Sequence, residues 1–538
     1  MPRDCHKPPP PPSIWPVSRF LYHRASPMPE RPRLVRFLVN TLWSLWGLVV
    51  LSALSFFLLP LMVRGLGLEG YALYALMGSF SGYLLLLTMG AGNATVKFVA
   101  ELRGKGDGNA VRAAVLASLR LHTLPVLAGS AALFAARGWL TASFLNVSPA
   151  AQADAAFLVA AASASGVFVA LLQLAVCVNQ GLQRFPAANA LLVAQSTLVL
   201  GGSALLVWLG HGLRSLGVLY IAVHVALAVG ALAWAWASLP DAAPEDGAAD
   251  RATAASFRSY ALQIFVTQLA WSATFQWDRL VLGSRLPLAE LAYYTIPAML
   301  LQKLFALPNA AMVSLFPMIS EMEGQGEADA LGRVYRLGGQ LVLWLTVPGF
   351  LLLSLFAPQL LSLWLGGDFS EKGVWPLRLI AAGYFFNLLG SMPTTAATGR
   401  GRPAYTSAWQ TAQAALCLVG WVVFIPRMGI LGAALAFALA QALAALPYVW
   451  LVSRDLFGMT AAEYAGEVLA RPLAAAAGLL AVLWPLRERA TGWGSLAALC
   501  ALGTLAYCGA GLAVVGSDER ALIRRLWGAT LGRAEPAS

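Results

Sequence analysis

An all-α polytopic membrane protein is expected here, with about fourteen transmembrane helices. They form two six-helix lobes related by an internal repeat, plus two extra C-terminal helices. Three features predict this fold. First, the 538 residues are 59% hydrophobic and only 11% charged, with a mean hydropathy of +0.69. A soluble domain carries about 25% charged residues. The apolar residues also fall in runs of roughly 20, the length that spans a bilayer as helix. Second, 24 of the 36 Lys and Arg fall on one side of the membrane if the amino terminus is cytoplasmic, counting Arg258 and Arg471 at the inner ends of their spans. A missing or surplus helix would scramble that alternation, so the charge pattern supports both the count and the orientation, with both termini inside. Third, Glu69-Gly-Tyr-Ala-Leu-Tyr and Glu290-Leu-Ala-Tyr-Tyr each open a long apolar run that ends in a polar loop, about 221 residues apart. Pro186 and Pro403 precede a second matching pair of apolar spans that lead to Leu216-Gly-Val and Leu431-Gly-Ala. Two copies of one helical pattern in lipid point to a transporter with its pathway between them.

In order along the chain, residues 1–36 form a basic, Pro-rich cytoplasmic tail with five consecutive prolines from Pro8 to Pro12, a composition that cannot build a packed core. Met28 is a second candidate start. Spans 37–63, 70–92, 113–136, 155–178, 188–209 and 216–238 make the N-terminal lobe, residues 37–238. A cytoplasmic linker, 239–256, follows. Spans 257–283, 290–318, 337–357, 374–398, 404–425 and 430–452 make the C-terminal lobe, residues 257–452. Accessory spans 467–486 and 494–516 lie within 453–516, and 517–538 is a second cytoplasmic tail. Two cytoplasmic stretches, Lys97 to Arg112 and Leu456 to Leu469, mix charged and apolar residues and read as helices lying at the membrane interface or docking a partner enzyme. Prolines 60, 125, 297, 308, 317, 348 and 393 lie in spans, as kinks that move or as fixed bends.

Ionisable groups in lipid are costly and mark candidate sites. Arg120 lies in span 3, Lys303 near the middle of span 8, and Asp278 with Arg279 toward the outer end of span 7. Asp278 is the one acid well inside a span. Such a cationic lumen suits an anionic cargo: Arg binds phosphate through two parallel N–H groups and Lys as a point charge. The competing structural roles are a Lys303–Asp278 pair, an Arg120 that reaches back to the interface, and an Asp278–Arg279 interface pair. Span 7 also sets Thr267, Trp271, Thr274 and Asp278 on one face and Gln268, Ser272, Phe275 and Arg279 beside it, with Gln263 and Gln276 in the same span. Gln302 and Asn309 extend a polar line along span 8. Amides and a tryptophan suit a sugar path, or else hydrogen bonding between helices. Arg120, Gln268, Trp271, Gln276, Asp278, Arg279, Gln302 and Lys303 are the substrate-binding candidates. His122 and His224 are satisfied core groups or proton-coupling sites. No cysteine–histidine cluster has zinc-site spacing, and no cofactor, metal or nucleic acid is expected. Gly104-Lys105 is followed by Gly106, not the Ser or Thr of a phosphate-binding loop, so the drive should be an ion gradient of H+ or Na+.

Several segments together resemble the polysaccharide-export flippases, O-antigen and exopolysaccharide exporters of the multidrug/oligosaccharidyl-lipid/polysaccharide (MOP) superfamily. They are Arg64-Gly-Leu-Gly-Leu-Glu-Gly-Tyr-Ala-Leu-Tyr, Gly90-Ala-Gly-Asn-Ala, Lys97-Phe-Val-Ala-Glu, Gly181-Leu-Gln-Arg-Phe, Trp277-Asp-Arg-Leu-Val-Leu-Gly, Phe316-Pro-Met-Ile-Ser and Ile425-Pro-Arg-Met-Gly-Ile-Leu-Gly. Their order and spacing carry the resemblance. It implies a core of six plus six helices, with spans 13 and 14 as additions. It also implies an inner-membrane flippase, not an enzyme, for a polyprenyl-pyrophosphate-linked oligosaccharide, its tail in lipid along spans 13 and 14, with polysaccharide assembly enzymes as partners. The alternatives are a multidrug-type exporter, which would favour buried acids, and a polysaccharide polymerase or ligase, which would need a catalytic centre in outward loops that are short and lack clustered acids or histidines.

Overall fold

The computed structural model describes residues 33–88, 90–104, 107–239, Phe265 and 268–514. The first predicted tail up to residue 32, the whole of the second, most of the linker, Lys105, Gln263, Thr267 and the side chain of Asn309 lie outside this set. Among the described residues there is helix and no strand. Helix α1, Arg33–Leu86, runs 54 residues and breaks at Gly67, whose φ of 72° is open to glycine at no steric cost, so it supplies the first two predicted spans. Helices α2 (Ala91–Gly104), α3 (Gly108–Trp139), α4 (Gln152–Gly181), α5 (Phe185–Ser196), α6 (Gly202–Trp208) and α7 (Leu213–Ala237) follow. The segment Thr197–Gly201 between α5 and α6 is π-helical. Span 7 is not one helix: α8 (268–276) and α9 (Asp278–Arg285) are separated at Trp277. Then come α10 (Leu288–Gln325), α11 (Ala328–Leu355), a short α12 (Ala357–Leu365) in the loop between two spans, α13 (Gly367–Leu389) and α14 (Ser391–Gly399). Helix α15, Ala404–Phe457, again runs 54 residues and breaks at Gly429, φ 57°. The chain closes with α16 (Ala461–Tyr464), α17 (Ala470–Leu483) and α18 (Trp493–Val514).

All fourteen predicted spans thus have a helical counterpart, and the repeat is visible in where helices break. Gly67 and Pro287 precede matching helices, as do Gly212 and Gly429. Three local expectations change. The stretch from Lys97 to Arg112 is not one interfacial helix: it is the end of α2 and the start of α3, where the Asp107 carboxylate caps the new helix by accepting from Ala110 N at 2.9 Å. The stretch from Leu456 to Leu469 is a turn at Gly458 followed by a Thr460–Glu463 capping box that starts α16. Its Tyr464 and Val468 are buried in protein, not laid on the membrane surface. Helix α10 runs unbroken through Pro297, Pro308 and Pro317.

Helix α4 is the hub of a first group, packing on α1, α2, α3, α5 and α7. Helix α13 is the hub of a second, packing on α10, α11, α12 and α15. The groups meet chiefly where α1 lies against α10, and α17 and α18 pack together against α11. Outward faces are apolar: Leu124 is 63% exposed, Trp208 69%, Val422 69% and Leu505 70%. In water such a surface would drive aggregation. Against lipid tails it costs nothing, because helix association in a membrane relies on close packing and hydrogen bonds instead.

Candidate functional site

Three adjoining cavities lie between the two groups. The first, of about 430 Å3, is an apolar trough walled by Phe56 and Leu59 of α1, Ile296 and Leu300 of α10, and Trp364 of α12, with Lys303 at its edge. The second, of about 300 Å3, shares Lys303 and Ser55 with the trough and is closed by Gln195, Tyr220 and His224. The third, of about 340 Å3, is lined by Tyr71, Tyr74, Ser79, Gln276, Arg279 and Gln302. Tyr220 and Val199 face both the second and the third, Val199 lying in the π-helical segment. Such bulges often sit at functional sites because they turn side chains out of helical register.

The electrostatics of this space are one-sided. Its described lining carries Lys303 and Arg279 and no carboxylate. No charged group neighbours Lys303 among the described residues. The Arg279 guanidinium donates to Ser79 Oγ at 3.3 Å, which occupies one of its five N–H donors. Asp278 does not neutralise either cation directly. Its carboxylate is buried, accepts the Arg279 backbone N–H at 2.8 Å and takes the Tyr294 hydroxyl. It lines a small pocket of about 10 Å3 with Thr274, Arg279 and Tyr384, too small for cargo. Adjacent positions on α9 therefore separate into one buried acid and one base on the cavity.

The structure brings Gln276, Arg279, Gln302 and Lys303 to this connected space. Trp271 lines a different cavity, of about 160 Å3, inside the second group with Asn387, Thr394, Trp409 and Gln413. Gln268 is exposed, as is Arg120 on α3, and neither lines any of these cavities. His224 is satisfied: the Gln195 amide nitrogen donates to Nε2 at 3.0 Å, so Nδ1 carries the hydrogen donated to Tyr220 O at 2.7 Å. His122 is fully buried, with Nδ1 on Ser118 O at 2.9 Å and Nε2 without a partner, away from the cavities. Sequence reasoning missed the cavity roles of Tyr71, Tyr74, Tyr220 and Gln195. Polar residues deep in apolar spans were the available signal, but nothing in their spacing says which helix they face.

Among the described residues five hydrogen bonds cross between the groups. Trp364 Nε1 donates to Phe56 O at 2.8 Å, with the indole stacked on the Phe56 ring at 4.6 Å. Asn146 N donates to Gly283 O at 2.9 Å. Tyr83 Oη donates to Gln276 O at 2.7 Å, and Arg279 reaches Ser79. The Tyr71 hydroxyl donates to Met299 Sδ at 3.5 Å. The first two lie at the end of the bundle that carries the Gly67, Pro287 and Gly429 breaks. At the opposite end the ion pair Arg400–Glu323, 2.9 Å, and the contact of Ser320 Oγ with Gly399 O, 3.2 Å, are internal to the second group.

The sequence profile of the polysaccharide biosynthesis protein family matches residues 37–323, more than half of the chain. The chain belongs to that family. Among curated relatives of this polysaccharide biosynthesis protein is a Shigella flexneri protein named "Putative O-antigen transporter", 21% identical over 415 residues, or 77% of this chain and 97% of the relative. Among solved structures, the lipid II flippase MurJ in an inward closed conformation superposes with a TM-score of 0.65 at 12% identity, over 92% of this chain and 100% of that one. An inward-facing multidrug resistance MATE transporter of the MOP superfamily also gives 0.65, at 16% identity, over 76% and 94%. The family resemblance read from the sequence is borne out, and the protein is a multi-pass membrane protein of MOP-superfamily fold. Its named relatives are transporters and a flippase, not enzymes.

Proposed function

We propose that this protein flips a polyprenyl-pyrophosphate-linked oligosaccharide across the bacterial inner membrane by alternating access between two lobes, the first and second helix groups. The observation that carries this is the pairing of an apolar trough with a cavity holding two cations and no carboxylate. A prenyl chain has a place to lie, and the pyrophosphate at its end meets Lys303 where trough and cavity join. A cationic drug would meet repulsion at the same point, which disfavours the multidrug alternative. The tail lies between α1 and α10, not along the last two helices. With both termini cytoplasmic, the bonded end is the outer one, so the lobes are shut toward the outside and the cavity loads from within. An ion gradient supplies the drive.

The test is deletion of the gene in its own host, followed by measurement of the sugar-charged lipid carrier in spheroplasts and everted vesicles. Carrier accumulating on the cytoplasmic face, with surface polysaccharide lost, supports flipping; neither change would sink it. The outer closure has its own prediction. Trp364→Phe keeps the stack on Phe56 but removes a hydrogen bond worth about 1 kcal/mol. The outward-open population should rise about fivefold, read as faster labelling of Leu300→Cys by an impermeant maleimide added outside. Unchanged labelling would show that this bond does not hold the outer side shut.

A further inference from the structure

We propose that the cavity inside the second helix group is a subsite for an uncharged sugar residue of the cargo, selecting neutral hexoses or N-acetylhexosamines over uronic acids. The proposal rests on the oligosaccharide reading above and adds the chemistry by which the glycan is recognised. The cavity, about 160 Å3, lies between α8, α10, α13, α14 and α15, and no charged side chain lines it among the described residues. Its polar wall is made of amides and hydroxyls, Asn387, Gln410, Gln413, Ser391 and Thr395, with Trp271 as an aromatic face.

Two polar atoms of this lining have no partner in the protein: the indole N–H of Trp409, a residue only 7% exposed, and Oε1 of Gln410. One is a donor and the other an acceptor. Leaving such groups buried and unpaired costs about 1–3 kcal/mol each. A hydroxyl both donates and accepts, so a sugar answers both. A carboxylate answers only the donor and finds no cation.

The groups behind these atoms are held rigidly. Asn387 Nδ2 and Gln413 Nε2 both donate to Oε1 of the fully buried Gln441, at 2.8 and 2.7 Å. The Trp409 indole is stacked on Tyr448 at 4.5 Å with an interplanar angle of 2°. Its edge lies over Gly390, where any Cβ would sit 2.5 Å from the ring. The Tyr448 hydroxyl is in turn tied to Thr394 and Thr406, each at 3.2 Å. The N–H direction of Trp409 is therefore set before cargo arrives, which lowers the entropy cost of binding. Trp271 is the opposite case. It is 37% exposed and meets Phe275 at a tilt, 5.4 Å away, leaving ring surface on which the apolar C–H face of a sugar can stack. Phe275 lines both this cavity and the small pocket holding Asp278 and Arg279, so one side chain separates the subsite from that pocket.

The test uses the full-length protein in nanodiscs. Saturation-transfer difference NMR is recorded with methyl glycosides of glucose, galactose and N-acetylglucosamine and with methyl glucuronoside, all at millimolar concentration, and inorganic pyrophosphate binding is followed by 31P relaxation. Neutral glycosides should give signal and the glucuronoside none. Trp271→Ala and Gln410→Leu should each weaken the glycoside signal at least fivefold and leave pyrophosphate binding unchanged. Gln410→Leu replaces an unpartnered buried oxygen by methyl groups, so it should fold as well as the wild type and keeps the test decisive if Trp271→Ala does not fold. Absent glycoside binding in the wild type, equal binding of the glucuronoside, or binding that survives Gln410→Leu would overturn the subsite. Absent pyrophosphate binding would instead overturn the cationic-cavity reading, a separate result on the same samples.

Discussion

Replacing Lys303 by Gln is expected to cut export of the glycan by about 10- to 100-fold without lowering the amount of protein in the membrane. A charge-assisted hydrogen bond to phosphate contributes about 1.5–3 kcal/mol, and among the described residues Lys303 has no charged neighbour to share it with. The same isolation predicts that the fold is unharmed, because an uncompensated charge in an apolar setting is a cost that the substitution removes. Arg279→Gln should act similarly, losing on the protein side the 3.3 Å contact to Ser79 and the attraction to the buried Asp278 carboxylate. Lys303→Arg keeps the charge and should retain a large part of the activity. The measurements are quantitative labelling of surface polysaccharide and an immunoblot of the membrane fraction. Export at the wild-type level in Lys303→Gln would remove this residue from the cargo path.

Gly432→Ala should be the most damaging small substitution in the molecule. A Cβ at this position would lie 2.3 Å from Phe424 O and 2.6 Å from its carbonyl carbon. Those atoms belong to the other arm of α15, folded back by the break at Gly429. Overpacking a core costs about 1–3 kcal/mol when side chains can shift. Here the obstruction is backbone on the facing arm, so the cost falls at the upper end or beyond, and the hairpin must open. Purified yield and thermal midpoint should both fall. Gly324→Ala is the matched control: nothing lies within 4 Å of its Cβ, and Ala favours helix over Gly by about 0.8–1 kcal/mol. A Gly432→Ala protein as stable as this control would show that the α15 hairpin is looser than its geometry implies.

Under the proposed function Lys303 and Arg279 would divide the labour of the site. Lys303 stands where apolar trough gives way to polar cavity, the place where a prenyl chain gives way to its phosphates. Arg279 stands deeper, among Tyr71, Tyr74 and Gln302, where the next polar part of a headgroup would reach. Under the proposed function the tyrosines would serve an oligosaccharide in two ways, as faces for sugar rings and as hydroxyls for their alcohols.

Much of this was legible in the sequence, and the reason is the solvent. A bilayer about 30 Å thick imposes helices of about 20 apolar residues, and the membrane sorts Lys and Arg by side. The number and order of helices, the internal repeat and the family follow from such one-dimensional signals. So do the positions of the rare intramembrane charges. Tertiary structure alone decided which of those charges face the cavities. Span 7 breaks at Trp277, sending Asp278 to Tyr294 and Arg279 to the cavity. Arg120 and Gln268 turn outward, while Trp271 joins Asn387, Trp409 and Gln413 in a chamber of its own. A helix that is apolar on every side carries almost no rotational information. Which face meets lipid, which meets a neighbour and which meets a cavity is set by contacts between segments hundreds of residues apart, such as Tyr83 with Gln276 or Phe56 with Trp364.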